Sequence, residues 1–298
     1  MHMATIALAA SSDPLSAATQ RKIRDMRAIL AKIDFALDER YAMRYGYFAE
    51  ENFSAQSSAG EYFPANGERI SPQIRADLLM ELFTDSRVDA IVDISGGNLS
   101  NEVLDFLDYS LIADHVKPFA AYSDNTALNL ALYRYAGLHS VYWNASTIVC
   151  RGTRDIRDFV SGKRFIPYIF PDSSHVSEQY KNISDVLVSG DLPIIGGNIR
   201  CMAKLAGTRY WPTLHEAHAV LLESFSQTLP AAVSTFTHLR HAGLFNHTCA
   251  VILGQFTTID KTGQRERLVQ IMQEYIDIPI FHAPYVGHSL SAQPVTIG

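Results

Sequence analysis

The chain has 298 residues, 47% of them hydrophobic, and a formal net charge of -6, enough for one large or two modest globular units with real cores. Mixed charge and plentiful aromatic residues argue against a disordered chain, and the mild acidity argues against the clustered basic face that a nucleic-acid polymer needs. No apolar run approaches the roughly 18 residues of a membrane span, so a small-molecule or peptide partner fits best.

Ala4 to Ala10 reads as a first buried strand rather than a secretion signal, because no basic stretch precedes it. Ser16 to Ile33 spaces apolar residues helically, with basic residues between. Glu39 to Pro64 is polar and aromatic without a period and reads as an irregular excursion. Ser71 and Pro72 open a helix that runs to Phe83. Val88 to Ile94 is a β-branched buried strand broken by Gly96 and Gly97, and Asn101 to Tyr109 resumes helical spacing. Lys117 to Tyr122 is another strand, followed by a helix from about Asn125 to Tyr135. Such alternation predicts a parallel sheet covered on both faces.

The pattern weakens over 151–190, which reads as a connection between domains. Beyond it, short strands (Ala219 to Leu222, Ala250 to Leu253) mix with helices near Leu229 to Ala242 and Gln264 to Tyr275, predicting a smaller α+β domain. The expected division is an N-terminal α/β domain over 1–160, a connecting segment over 161–190 and a C-terminal domain over 191–298. Gly-Gly-Asn occurs at 96–98 and again at 196–198, and both copies read as strand-to-helix turns. Cys150, Cys201 and Cys249 are odd in number and widely spaced, so they read as buried free thiols in a reducing compartment.

Ser123 lies between a strand and a helix start, at the carboxyl edge of the expected sheet where ligands bind. A serine there can attack a carbonyl while the Asp124 amide receives the oxyanion. Ala121 and Asn125 stand where G-x-S-x-G has glycines, and the same residues also read as a plain helix cap. A glycine amide after Val88 to Ile94 can supply a second oxyanion donor, or the pair can be an ordinary turn. His288, after Gly287 in a loop, can serve as base or be a surface histidine. Glu223, ending the apolar run from Ala219, can orient an imidazole or be a solvated strand-end charge. His215 and His218 miss the H-E-x-x-H spacing, so no metal and no cofactor is expected. Tyr122, Tyr133, Tyr135 and Tyr142 read as packing residues.

The ordered set is more specific than its members. Gly96-Gly97-Asn98-Leu99-Ser100-Asn101, Leu107-Asp108-Tyr109, Lys117-Pro118-Phe119 and Tyr122-Ser123-Asp124-Asn125-Thr126 occur in the first half. Ile195-Gly196-Gly197-Asn198, Leu222-Glu223, Ile252-Leu253-Gly254-Gln255-Phe256 and Gly287-His288 follow. Together they resemble the LD-carboxypeptidase family of serine peptidases, which includes the microcin C immunity-type peptidases. Ser224 stands where that family commonly has an acidic residue, and the 151–190 connection holds no tryptophan.

The resemblance implies a Rossmann-like, glutamine-amidotransferase-like first domain and a Ser123–His288–Glu223 triad. It also implies an oxyanion hole from the amides of Gly97 and Asp124. The implied protein is a cytoplasmic homodimer that acts on a small peptide, with neither a nucleic-acid polymer nor a membrane as partner. The implied reaction is release of a D-amino acid from a murein tetrapeptide. The alternatives are an immunity-type amidase on peptidyl or aminoacyl nucleotides and an inactive peptide-binding homologue.

Overall fold

A computed structural model describes residues 3–13, 15, 17–40, 71–148, 153–171, 178–212 and 215–298. Most of the irregular excursion expected before Ser71, and Cys150, lie outside the described residues. Two sheets organise the rest. The first has β1 (Ala4–Ala9), β2 (Phe35–Asp38), β3 (Ala90–Asp93), β4 (Phe119–Ala121), β5 (Ser140–Tyr142) and β11 (Val295–Ile297), in the order β11-β5-β4-β3-β1-β2. All its pairings are parallel except β11 with β5. The chain leaves β1 toward β2 and resumes on the other side at β3, a topological switch that opens a crevice at the carboxyl ends of the strands.

The first sheet is covered on both faces, as its apolar strands require. One face packs Ile23, Met26 and Leu30 of α1 (Ala17–Ala31) with Trp143, Ile156 and Phe159. The other packs Leu79, Leu82 and Phe83 of α2 (Pro72–Thr84) and Leu128 and Leu132 of α4 (Thr126–Ala136), and continues into the second sheet as one core.

The second sheet has β6 (Phe170–Pro171), β7 (Ile194–Asn198), β8 (His218–Ser224), β9 (Thr248–Phe256) and β10 (Ile280–His282), in the order β6-β10-β9-β8-β7, with only β6 antiparallel. The chain therefore forms a mixed α/β fold built on two sheets. β11, from the C-terminal end of the chain, pairs with β5 in the first sheet, and β6, from the 161–190 segment, pairs with β10 in the second.

Three local readings need correction. Asn101 to Tyr109 is not one helix: a 3₁₀ stretch over Ser100–Phe106 ends before Asp108, whose carboxylate accepts from the Leu111 amide (3.0 Å) and starts α3 (Tyr109–Asp114). The 151–190 connection contains α5 (Arg154–Val160), which buries Ile156 and Phe159, and α6 (Glu178–Ser189), which buries Leu187. Their polar residues hid a narrow apolar stripe. Gly196 and Gly197 lie inside β7 rather than in a turn, and the turn falls at Asn198, which caps α7 (Ile199–Ala203) by accepting from the Cys201 amide. Among the described residues, no helix is long and apolar enough to cross a membrane.

Candidate active site

The site forms where the carboxyl edges of the two sheets meet. Asp93 ends β3, and its carboxylate accepts from the Ser11 amide after β1 (2.8 Å), the Ser95 amide (2.9 Å) and the Asn125 side chain after β4 (3.0 Å). One buried carboxylate thus ties three strand ends into a rigid rim.

Ser123 follows β4 at φ 57°, the left-handed region that a non-glycine residue enters at a cost of about 1–3 kcal/mol. That strain turns the chain sharply from strand into helix and lifts the hydroxyl off the rim, as in a nucleophile elbow. The helix-cap reading does not hold, because no side chain caps the helix start. Asp124 points away instead, accepting from the Ser12 hydroxyl (2.6 Å) and the Ser100 amide (2.8 Å) and pairing with Lys204.

The structure brings together all three residues picked out for chemistry. Ser123 Oγ lies 3.0 Å from His288 Nε2, and His288 Nδ1 lies 2.8 Å from Glu223 Oε2. A carboxylate only accepts, so Nδ1–H donates to Glu223 and leaves the Nε2 lone pair facing the serine hydroxyl. Glu223 is fully buried in β8 rather than a solvated strand end. The His288 ring packs against Tyr122 (5.5 Å, centroid to centroid) and Phe225 (4.9 Å).

Two residues that sequence reading assigned elsewhere hold the carboxylate. Asn198 pairs with Glu223 in the β7–β8 register, so both side chains share a face, and its Nδ2 donates to Glu223 Oε1 at 2.8 Å. Tyr142 is a buried residue at the end of β5, and its hydroxyl donates to the same oxygen at 2.6 Å. The Tyr142 oxygen also accepts from the Ser123 amide at 3.1 Å. Burial, then the charge of Glu223, pushes its phenol well above the ordinary tyrosine value, so it stays a donor. Gly197 makes room: at φ 138°, a Cβ there would come within 2.8 Å of the Tyr142 ring and 2.7 Å of Thr126 Oγ1. The available signal for Tyr142 was its place at a strand's carboxyl end.

Tyr142→Phe removes a charge-assisted hydrogen bond and strands the Ser123 amide. We expect kcat to fall about 10- to 100-fold with little change in KM; an unchanged kcat would show that the bridge does not matter.

Tyr142 engages the Ser123 amide, which leaves the neighbouring loop amides as the N–H groups able to face an anion near the hydroxyl. The Gly96–Gly97 peptide flanks Ser123, since a Cβ on Gly96 would lie 4.0 Å from Ser123 Cβ. The Asp13 amide donates to the Gly96 carbonyl (3.2 Å). The peptide is trans, so the Gly97 N–H points the opposite way from that carbonyl. Arg200 donates to the Gly97 carbonyl (2.9 Å) and holds the next peptide. At φ 125°, Gly97 also avoids Asp13, whose Oδ2 would sit 1.9 Å from a Cβ.

Beneath this loop, burial pushes the Asp124 carboxyl up, but the Lys204 ammonium and the bonds from Ser12 and Ser100 outweigh it. The net result lies below the ordinary aspartate value. An unfolded aspartate titrates near about 3.9. The pair therefore stabilises the fold above about pH 4, and that contribution is lost as pH falls through the lower folded value. Lys204→Met leaves a buried unpaired carboxylate and is expected to cost about 3 kcal/mol at neutral pH in urea unfolding. The cost should shrink below about pH 4, and an equal cost at both pH values would contradict the pairing.

The two histidines of the H-E-A-H run do not form a metal pair. His218 is buried, with Nδ1 at 2.8 Å from the Glu216 carbonyl and Nε2 at 3.0 Å from Thr248 Oγ1. Cys201 is a buried free thiol pushed up to about 12, first by burial and then by the charge of Asp124, so it is inert as a nucleophile.

Comparison with known proteins agrees with this architecture. The chain is 27% identical over 233 residues to a Vibrio cholerae protein named as a carboxypeptidase, covering 70% of each. It is 24% identical over 244 residues to the microcin C7 self-immunity protein MccF of Escherichia coli, covering 72% of this chain and 71% of that protein. Among solved structures, an MccF-like protein from Bacillus anthracis superposes with TM-score 0.73 at 22% identity, over 100% of this chain and 92% of that one. A muramoyltetrapeptide carboxypeptidase from Oxalobacter formigenes superposes with TM-score 0.64 at 17% identity, over 99% and 92%. Residues 6–143 match the LD-carboxypeptidase N-terminal domain and residues 192–298 the LD-carboxypeptidase C-terminal domain. This chain therefore belongs to the LD-carboxypeptidase family.

Proposed function

We propose that the protein is a serine peptidase that cleaves the amide bond before the last residue of a small peptide, releasing a D-amino acid from a murein tetrapeptide. The observation that carries the reading is the hydrogen-bonded line from Ser123 through His288 to Glu223, with its nucleophile on a strained elbow. The name of the Oxalobacter formigenes structure supports the substrate class. In the cell, the reading is of a cytoplasmic homodimer working on murein fragments.

Ser123 Oγ attacks the carbonyl carbon while its proton passes to His288 Nε2. The oxyanion accepts from the amides of Gly97 and Asp124, each worth about 2.7–4 kcal/mol of barrier. The C–N bond then breaks as His288 returns the proton to the leaving nitrogen. Water, deprotonated by His288, attacks the ester; the C–O bond to Ser123 breaks, the acid departs and the serine takes back a proton. Glu223 holds the imidazole in the required tautomer throughout.

A second reading is hydrolysis of an aminoacyl nucleotide, favoured by the likeness to MccF. Purified protein incubated with a murein tetrapeptide and, separately, with an aminoacyl sulfamoyl adenosine distinguishes the two. Release of D-alanine supports the first, turnover of only the nucleotide analogue the second. Tight binding without turnover of either compound points to an inactive binding homologue.

A further inference from the structure

A cavity of about 630 Å³ shares the His288 side chain as part of its wall. Phe225, whose ring packs against the imidazole (4.9 Å), and Ser289 and Leu290, next to it in the chain, continue that wall, so the cavity opens beside the imidazole. In the reaction proposed above, on which this inference rests, the imidazole gives its proton to the leaving nitrogen. The group seated against the imidazole is therefore the leaving amino acid.

The wall says what that amino acid carries. Phe225 and Leu290 are large apolar side chains left 54% and 63% exposed beside a buried site, the kind of surface that waits for a ligand. Two cations also line the cavity, but only one is available. The Arg265 guanidinium donates to Asp260 Oδ1 (2.8 Å) and to the carbonyls of Gly254 (2.8 Å) and Leu253 (3.0 Å). Asp260 in turn accepts from the Phe256 amide (2.9 Å), so these two charges neutralise each other while fixing the end of β9. Lys261, at the end of α9 (Thr257–Lys261), forms no ion pair among the described residues. An apolar cavity with one uncommitted ammonium suits an amino acid with an uncharged side chain and a free carboxylate.

We propose that this cavity is the leaving-group subsite and that Lys261 pairs with the α-carboxylate of the released residue. The enzyme would thereby be restricted to the last residue of its substrate. The test compares kcat/KM for a murein tetrapeptide ending in free D-alanine with that for the same peptide ending in D-alanine amide. The wild-type protein should favour the acid by at least about tenfold, and added salt should weaken the preference. Lys261→Met should remove most of the preference through KM, and Lys261→Arg should retain it. Equal turnover of acid and amide by the wild type, or an undiminished preference in Lys261→Met, overturns the inference. Either result, from a chain whose D-alanine release disappears in Ser123→Ala, leaves the serine peptidase reading intact. Failure of the wild type to cleave either peptide overturns both.

Discussion

Ser123→Ala should lower kcat on a cleavable peptide by about 10⁴- to 10⁶-fold while leaving folding and peptide binding in place. The hydroxyl is the only atom lost that faces His288, and its removal relieves no packing. The residue sits at φ 57°, so alanine inherits the same backbone strain and the elbow is kept by its surroundings. Tyr142 still accepts the residue-123 amide and Thr126 Oγ1 still donates to its carbonyl (2.7 Å). Loss of binding together with kcat would mean that the elbow had collapsed; activity within tenfold of wild type would mean that another group attacks.

Glu223→Gln should cost about 10⁴-fold in kcat, and the structure says why so mild a change does so much. Tyr142 and Asn198 both donate to Glu223 Oε1. A glutamine must turn its oxygen to those two donors, which directs its amino group at His288 Nδ1. Nδ1 then becomes an acceptor, and the proton moves to Nε2, the atom that has to receive the serine proton. In the double variant Glu223→Gln with Tyr142→Phe, one of those donors is gone. The second change should then cost much less than its own 10- to 100-fold, because the two residues act as one unit. Full additivity, measured in a kinetic double-mutant cycle, would contradict the shared role.

The parallel sheet of the first half was legible because its strands are buried on both faces and read as continuous apolar runs. Val88 to Ile94 and Lys117 to Tyr122 are both strands in the structure, each trimmed at its ends. Ser123 followed from that framework, since a serine between such a strand and a helix must stand at the carboxyl edge. His288 and Glu223 were legible as residue types in suggestive places, but their meeting needed the family resemblance. Their separation from Ser123 in sequence leaves no periodicity to connect them.

What stayed hidden depends on register and on contacts between layers. Asn198 reaches Glu223 because β7 and β8 pair those two positions, and a one-residue slip would put the side chains on opposite faces. Tyr142 sits in a strand of three residues, too short to show alternation, and both its polar partners lie outside that strand. Lys261 is an exposed lysine on a short helix, and only the neutralisation of Arg265 by Asp260 sets it apart.

The most direct test of the mechanism is to map the residue of the intact protein that a fluorophosphonate modifies. One adduct per chain on Ser123, lost on His288→Ala, is the expected result, because only a serine with an imidazole lone pair against its hydroxyl reacts rapidly. An unmodified Ser123 in a chain that still cleaves peptide would contradict the hydroxyl–imidazole–carboxylate mechanism.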